Sequence, residues 1–344
     1  MAQVNVTIIG LQRIGASMGL ALKRLSKSPS TSHEFVITGS DENRETLKTA
    51  RTMGAIDQDV RDPGQAVQQA DIVLLASPYG LVKDMLEVIG PELKPGAVVI
   101  DFSPLKLPSI AWAQQYFRKG KGAAEAYLVG VTPLINPDYL NDPREGIEAA
   151  RADMFDRGSL IVSPAPTCPE EAVQLAAELT TLLGLKVHFT DPAEHDGIVA
   201  AMENLPVLLH MALFRSVSGS PAWNDLQRLG NPLFALATYR LGTDKPEDVA
   251  AFVEHNRKNT IRVLEAMTTT LTEITDLLRD ADAETIAEAF AASSEQYQRW
   301  QTTRAKNKWD EADELPRIQS PGLLGSFGGM LKLGGRKSSD ERRK

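Results

Sequence analysis

The first 190 residues alternate short β-branched runs with amphipathic stretches, and then the alternation stops. Val4–Ile9, Phe35–Gly39, Asp71–Ala76, Ala97–Asp101 and Tyr127–Val131 are apolar runs bounded by Gly, Pro, Asp or Ser. Between them, Gly15–Leu25, Arg44–Met53, Leu81–Ile89 and Pro108–Phe117 carry helical spacing. Strand–helix alternation implies right-handed crossovers and a doubly wound parallel sheet covered on both faces. Ser159–Ser163 and Lys186–Phe189, flanking a helix from Pro169 to Leu183, extend the same sheet.

After Asp191-Pro192 the pattern turns wholly helical. Ala193–Val217, Pro246–Leu278 and Ala283–Ala305 read as long amphipathic helices. This divides the chain into an α/β domain over 1–191, an all-α domain over 192–309 and a glycine-rich tail over 310–344 that reads as disordered. At 344 residues there is material for two cores. A net charge of -8 argues against a nucleic-acid partner. The single cysteine, Cys168, has no basic neighbour to activate it and suits a reducing, cytoplasmic setting. No basic leader precedes the first apolar run, and no apolar run nears the roughly 20 residues of a membrane span. The histidines show no metal-ligand spacing, so no metal site is expected.

The turn Gly10-Leu11-Gln12-Arg13-Ile14-Gly15 joins the first strand to the first helix. In a dinucleotide-binding turn the first glycine makes the bend, the second lets backbone approach the pyrophosphate and the third lets helix pack on strand. Gly10 and Gly15 fill the first and third places, and Gln12 takes the second. Its β-carbon intrudes where the phosphates come closest. The helix N-terminus at Arg13 and Ile14 still offers free amides, and the Arg13 guanidinium offers charge. Asp41, ending the second strand, suits the adenosine ribose hydroxyls and favours NAD, while Arg44 nearby keeps NADP open. Asp41 also suits capping of the helix that follows. Ser77-Pro78 closes a later strand at the edge where ligands of open α/β sheets sit.

Taken together, these segments resemble the prephenate and arogenate dehydrogenase family, collinearly from about Val4 to Trp300. Gly10–Lys23, Asp71–Pro78, Leu93–Asp101 with Lys106, Glu194-His195-Asp196 with Asn204-Leu205-Pro206, and Asp248–Arg257 carry the likeness. The resemblance implies a Rossmann-like domain followed by a helical dimerisation domain, NAD or NADP as cofactor, a small carboxylate substrate and a homodimer. It implies oxidative decarboxylation of prephenate or arogenate, on the route to tyrosine.

The departures fall at chemical positions. Thr132-Pro133 stands where the family has a histidine-proline pair whose histidine engages the substrate hydroxyl. Threonine does not titrate near neutral pH, and a positioned base typically contributes about 10²–10⁴ in rate. Pro104 stands where the family has a serine, with Ser103 adjacent, and Asn204 replaces a second histidine. Arg240 matches the family's substrate-binding arginine and suits bidentate carboxylate recognition. His195 reads as structural. Three readings stay open: a dehydrogenase of prephenate type, one with another small carboxylate substrate, and a non-catalytic binding or regulatory relative.

Overall fold

The computed structural model describes residues 2–28, 33–118, 126–307 and 309. The glycine-rich tail lies outside them. In chain order the α/β part runs β1 (Ala2–Ile9), α1 (Arg13–Ser26), β2 (His33–Ser40), α2 (Arg44–Thr52), β3 (Gln58–Asp59), α3 (Pro63–Val67), β4 (Ile72–Leu75), α4 (Val82–Ile89), β5 (Val98–Asp101), α5 (Lys106–Tyr116), β6 (Tyr127–Leu134), β7 (Ser159–Pro164), α6 (Glu170–Leu182) and β8 (Lys186–Phe189). The strands form one sheet in the order β3-β2-β1-β4-β5-β6-β7-β8. All neighbours pair parallel except β6 with β7.

The sheet is buried on both faces, as its apolar runs require. Alternate residues of β4 enter different cores: Ile72 and Leu74 pack with Val6, Ile8, Met18 and Leu22 on one side, Val73 and Leu75 with Leu86 and Ile89 on the other. The strand order reverses between β1 and β4, so a crevice opens beyond the carboxyl ends of these two strands. Ile9 pairs with Leu75, Leu75 with Asp101 and Asp101 with Gly130. Gly10, Ala76, Phe102 and Val131 therefore share the next row along that rim.

A surface pair steadies the start of β1. Asp71 accepts from the Asn5 amide at 2.8 Å and from Lys94 Nζ at 2.5 Å. Burial works to raise its pKa, but these bonds outweigh burial and hold it below the ordinary carboxylate range. A depressed folded-state pKa gives stability that is present above the unfolded value and lost as pH falls toward the folded one. Urea unfolding from about pH 5 to about pH 3 should therefore show a steeper loss in the wild type than in Asp71→Asn.

The helical part continues with α7 (Pro192–Val199), a π turn (Ala200–Asn204), α8 (Leu205–Ser218), α9 (Trp223–Leu226), α10 (Pro232–Leu236), α11 (Arg240–Thr243), α12 (Pro246–His255), α13 (Arg257–Asp280) and α14 (Ala283–Lys306). Asp191 caps α7 by accepting from Ala193 and Glu194 amides, with Pro192 in the first turn. Two expected helices are interrupted. The first widens into the π turn. The second breaks at Asn256, whose Nδ2 donates to Asp196 O at 2.8 Å and Asn204 Oδ1 at 3.0 Å.

The described residues through Thr260 form one compact unit and those from Ile261 a second. The first unit thus includes the start of the helical part, through α12. Val199 and Phe252 pack with Tyr79 in one of the sheet's own cores, and Tyr79 Oη lies 2.8 Å from His255 Nδ1. In the second unit Asp282 caps α14, and Asn307 ends it in the left-handed conformation.

The expectation that no apolar run nears membrane-spanning length needs correction. Pro192–Ser218, taken through the π turn, is long and apolar enough by length and composition. Its charged residues are too few and too spaced to break the run. In the single chain it leaves Met202, Met211, Leu213 and Phe214 exposed, alongside Leu229, Leu233 and Leu236 on the segments that follow.

Candidate active site

The first turn has the geometry of a phosphate cradle. Gly10 adopts φ +87°, and a β-carbon there would sit 2.6 Å from the Ala76 carbonyl oxygen. A β-carbon on Gly15 would lie 2.0 Å from the Gly10 carbonyl oxygen. Both glycines are required by backbone approaching backbone. Gln12 occupies the cap position of α1 in extended conformation and makes no side-chain capping bond. Among the described residues no hydrogen bond reaches the amides of Gln12, Arg13 or Ile14, so the start of the helix presents open donors. The Gln12 side chain is exposed, its Oε1 lying 3.8 Å from the β-carbon position that Gly146 lacks. The cradle therefore fits a pyrophosphate.

Arg13 is not aimed into the cradle. Its Nη1 donates to the Asp142 carbonyl at 2.9 Å and the Arg144 carbonyl at 2.8 Å, and Nη2 lies 3.5 Å from Asp142 Oδ2. Its expected role as a phosphate ligand is corrected on that ground: a long side chain at a helix start reaches either way, and here loop carbonyls hold it.

Asp41 directly follows β2, beside the first turn. One oxygen accepts from the Leu11 amide at 2.9 Å and the other from the Asn43 amide at 2.9 Å. Each oxygen keeps a lone pair for a hydroxyl donor. The helix cap is Asn43, which accepts from the amides of Glu45 and Thr46, so Asp41 is released from that duty. Beside it, Arg44, Lys48, Arg51, Asp59 and Arg61 help line an open groove of about 500 Å³. Ser77 and Pro78 lie on the same rim, the Ser77 amide 2.9 Å from the position a Gly10 β-carbon would take.

In the last part of β6, Thr132 is partly exposed, and its Oγ1 lies 2.8 Å from Nε2 of His195. His195 Nδ1 in turn lies 3.3 Å from Asp196 Oδ1. Asp196 is fixed by the amides of Lys106 at 2.8 Å and Leu107 at 3.0 Å. His195, read from the sequence as structural, is thus buried directly behind Thr132. The acid that caps α7 is Asp191, so His195 and Asp196 take no part in the cap.

Lys106 is completely buried, and its Nζ donates to the carbonyls of Asp101, Ser103 and Val131. Burial depresses its pKa, against the opposing charges of Asp101, Asp196 and Glu203. Ser103 does not face the crevice. Its hydroxyl donates to Asp101 Oδ2 at 2.6 Å and lies 2.9 Å from Ser109 Oγ, inside a closed network, so it does not stand in for the missing serine at Pro104. Asn204 is also fully buried, its Oδ1 held by Asn256 while its Nδ2 has no hydrogen-bond partner among the described residues.

Arg240 opens α11. Its Nε donates to Asp244 at 2.9 Å and its Nη1 to Glu145 at 3.2 Å. Burial works against the cation, but Asp244, Tyr239 and Glu145 together raise its pKa. Glu203, on the π turn, carries no sequence signal that marked it in advance. It is open to solvent yet ringed by protein, so burial raises its pKa against Lys106 and Arg240. Burial likewise pushes the Cys168 thiol up to about 11, in keeping with an inert residue. Among the described residues no group of three His, Cys, Asp or Glu side chains is placed to hold a metal.

Comparison with known proteins gives this arrangement its context. Residues 23–189 match the prephenate dehydrogenase nucleotide-binding domain, and residues 191–292 match the prephenate dehydrogenase dimerization domain. A cyclohexadienyl dehydrogenase of Zymomonas mobilis is 22% identical over 291 residues, covering 84% of this chain and 93% of that protein. A prephenate dehydrogenase of Bacillus subtilis is 23% identical over 301 residues, covering 86% and 76%. In fold, the chain is similar to the crystal structure of the A. aeolicus prephenate dehydrogenase in complex with hydroxyphenyl propionate and NAD+, with a TM-score of 0.70, 19% identity, and coverage of 87% of this chain and 99% of that one. With both domains matched in order across most of its length, the chain belongs to the prephenate dehydrogenase family.

Proposed function

We propose that this protein is an NAD(P)-dependent dehydrogenase that oxidatively decarboxylates prephenate or arogenate, working as a homodimer. The observation that carries the reading is the shared rim: the open cradle after β1, the carboxylate after β2 and Thr132 in the last part of β6 stand along the same edge of the sheet. The nicotinamide cofactor supplies the hydride acceptor when bound. Gly10, Gly15 and the open amides at Gln12–Ile14 are the groups for its pyrophosphate, and Asp41 is the group for its ribose. The groove at Arg44 and Lys48 offers cations beside that ribose, so the cofactor is NAD or NADP.

On the substrate side Thr132 receives the ring hydroxyl and Arg240 a carboxylate. Glu145 is exposed and bonds Arg240 through a single oxygen, so a substrate carboxylate can take its place on the guanidinium while Asp244 keeps the fork oriented. Homodimerisation is supported by the dimerization-domain match and by the exposed apolar residues of 202–236. The test is formation of reduced cofactor from prephenate or arogenate by the purified protein. Silence with both, and with both cofactors, overturns the reading. Arg240→Lys should weaken apparent substrate affinity by about 10–100-fold, the loss of one charged hydrogen-bonding pair. Gln12→Gly should tighten dinucleotide binding several-fold in a fluorescence titration, because it removes the β-carbon nearest the phosphates.

A further inference from the structure

We infer that Thr132, His195 and Asp196 form a proton relay, in which the threonine hydroxyl touches the substrate and the buried imidazole behind it is the base. This rests on the dehydrogenase reading above and answers the difficulty that reading inherits, a threonine where a titrating side chain is needed.

The argument begins with Asp196. Its two oxygens accept the amides of Lys106 and Leu107, so it is held as an acceptor at the start of α5. The neighbouring His195 Nδ1 faces Oδ1 of that carboxylate at 3.3 Å. That oxygen already accepts an amide, so the geometry assigns Nδ1 as the donor to it and leaves Nε2 with its lone pair. That lone pair points at Thr132 Oγ1, 2.8 Å away. Thr132 must then donate to the imidazole, which frees both hydroxyl lone pairs to accept from a substrate hydroxyl. His195 is only 3% exposed whereas Thr132, bonded to its Nε2, is partly open. The charged groups around the pair are Asp196 on its own helix, Asp101 ending β5, Lys106 opening α5 and Glu203 on the π turn, with the Tyr79 phenol beside them.

The step balances as follows. As hydride leaves the ring carbon for the nicotinamide, the substrate hydroxyl passes its proton to Thr132 Oγ1, and the proton already on Oγ1 passes to His195 Nε2. The carbon–oxygen bond becomes a carbonyl, and Asp196 faces the resulting imidazolium. The carbon–carboxylate bond then breaks, carbon dioxide departs, and its electron pair enters the ring and reaches the oxygen as a phenolate. The relay runs backward and returns the proton. One substrate and one oxidised cofactor give one phenol, one carbon dioxide and one reduced cofactor.

The first test needs no turnover. In the full-length protein labelled with ¹⁵N-histidine, with His195→Asn identifying the signal, the imidazole should be the Nδ1–H tautomer. An Nε2–H tautomer at neutral pH overturns the relay, because Thr132 would then accept rather than donate. The second test is kinetic. His195→Asn should lower kcat by about 10²–10⁴-fold and abolish the acid limb of the pH profile, with dinucleotide binding unchanged. Thr132→Val should lose the rate similarly, and Thr132→Ser should restore most of it. An acid limb that survives His195→Asn and vanishes in Glu203→Gln overturns the relay and makes Glu203 the base. A wild type silent toward both substrates instead sinks the proposed reaction, and the tautomer still decides the relay.

Discussion

Gly15→Ala is expected to eliminate measurable dinucleotide binding and to destabilise the α/β unit by about 1–3 kcal/mol or more, the range for forcing extra volume into a packed site. The reason is geometric. The added methyl would sit 2.0 Å from a backbone oxygen, and that oxygen belongs to Gly10, itself fixed at φ +87° against the Ala76 carbonyl. The turn has no flexible side chain to move aside, so α1 must swing away from β1 and take its open amides with it. Fluorescence titration with NADH reads the first effect and urea unfolding the second. Binding within a few-fold of wild type would show that the pyrophosphate does not use this cradle. The contrast with Gln12→Gly makes the pair informative, since one change adds a β-carbon to the turn and the other removes one.

The second large effect is expected at Lys106. Lys106→Met keeps the length of the side chain and removes the ammonium that bridges the carbonyls of Asp101, Ser103 and Val131. Three buried acceptors lose their donor at once, and Asp101 and Asp196 lose the cation whose field they share. Leaving such groups uncompensated costs about 3–5 kcal/mol, read as a shift in the urea midpoint. Loss well below this would mean that water or a rearranged loop replaces the ammonium. The consequence reaches the site, because the backbone at Lys106 also holds Asp196, and Asp196 holds His195. In Lys106→Met the imidazole should lose its fixed orientation even in whatever fraction stays folded.

How far the sequence carried the argument differs from element to element. Strand and helix alternation was legible for every strand but β3, because sheet burial on both faces imposes continuous apolar runs punctuated by Gly, Pro and Asp, whereas β3 is two exposed polar residues. The antiparallel seating of β7 against β6 was not, since strand direction depends on a return path that leaves no local pattern. The helices were legible as helical periods but not in their interruptions. The break at Asn256 is made by partners 52 and 60 residues away in sequence, and the π turn likewise alters no residue spacing that periodicity can detect.

The site divides along the same line. Gly10 and Gly15 could be proposed from sequence because a turn that must bend sharply dictates its own residue types over a few positions, and Asp41 and Ser77-Pro78 because they follow strands of an open sheet. Family kinship singled out Thr132, Asn204 and Arg240 in the same way, as substitutions or matches at known places. What each side chain does was decided only in three dimensions. Arg13 turned to a loop 129 residues on, Ser103 closed into a buried network, and His195 came to lie behind a threonine 63 residues away. The physical reason is that hydrogen-bond partnership is set by which elements the sheet order brings together. A side chain's chemistry is written at its own position, but the group it must serve is supplied by the fold.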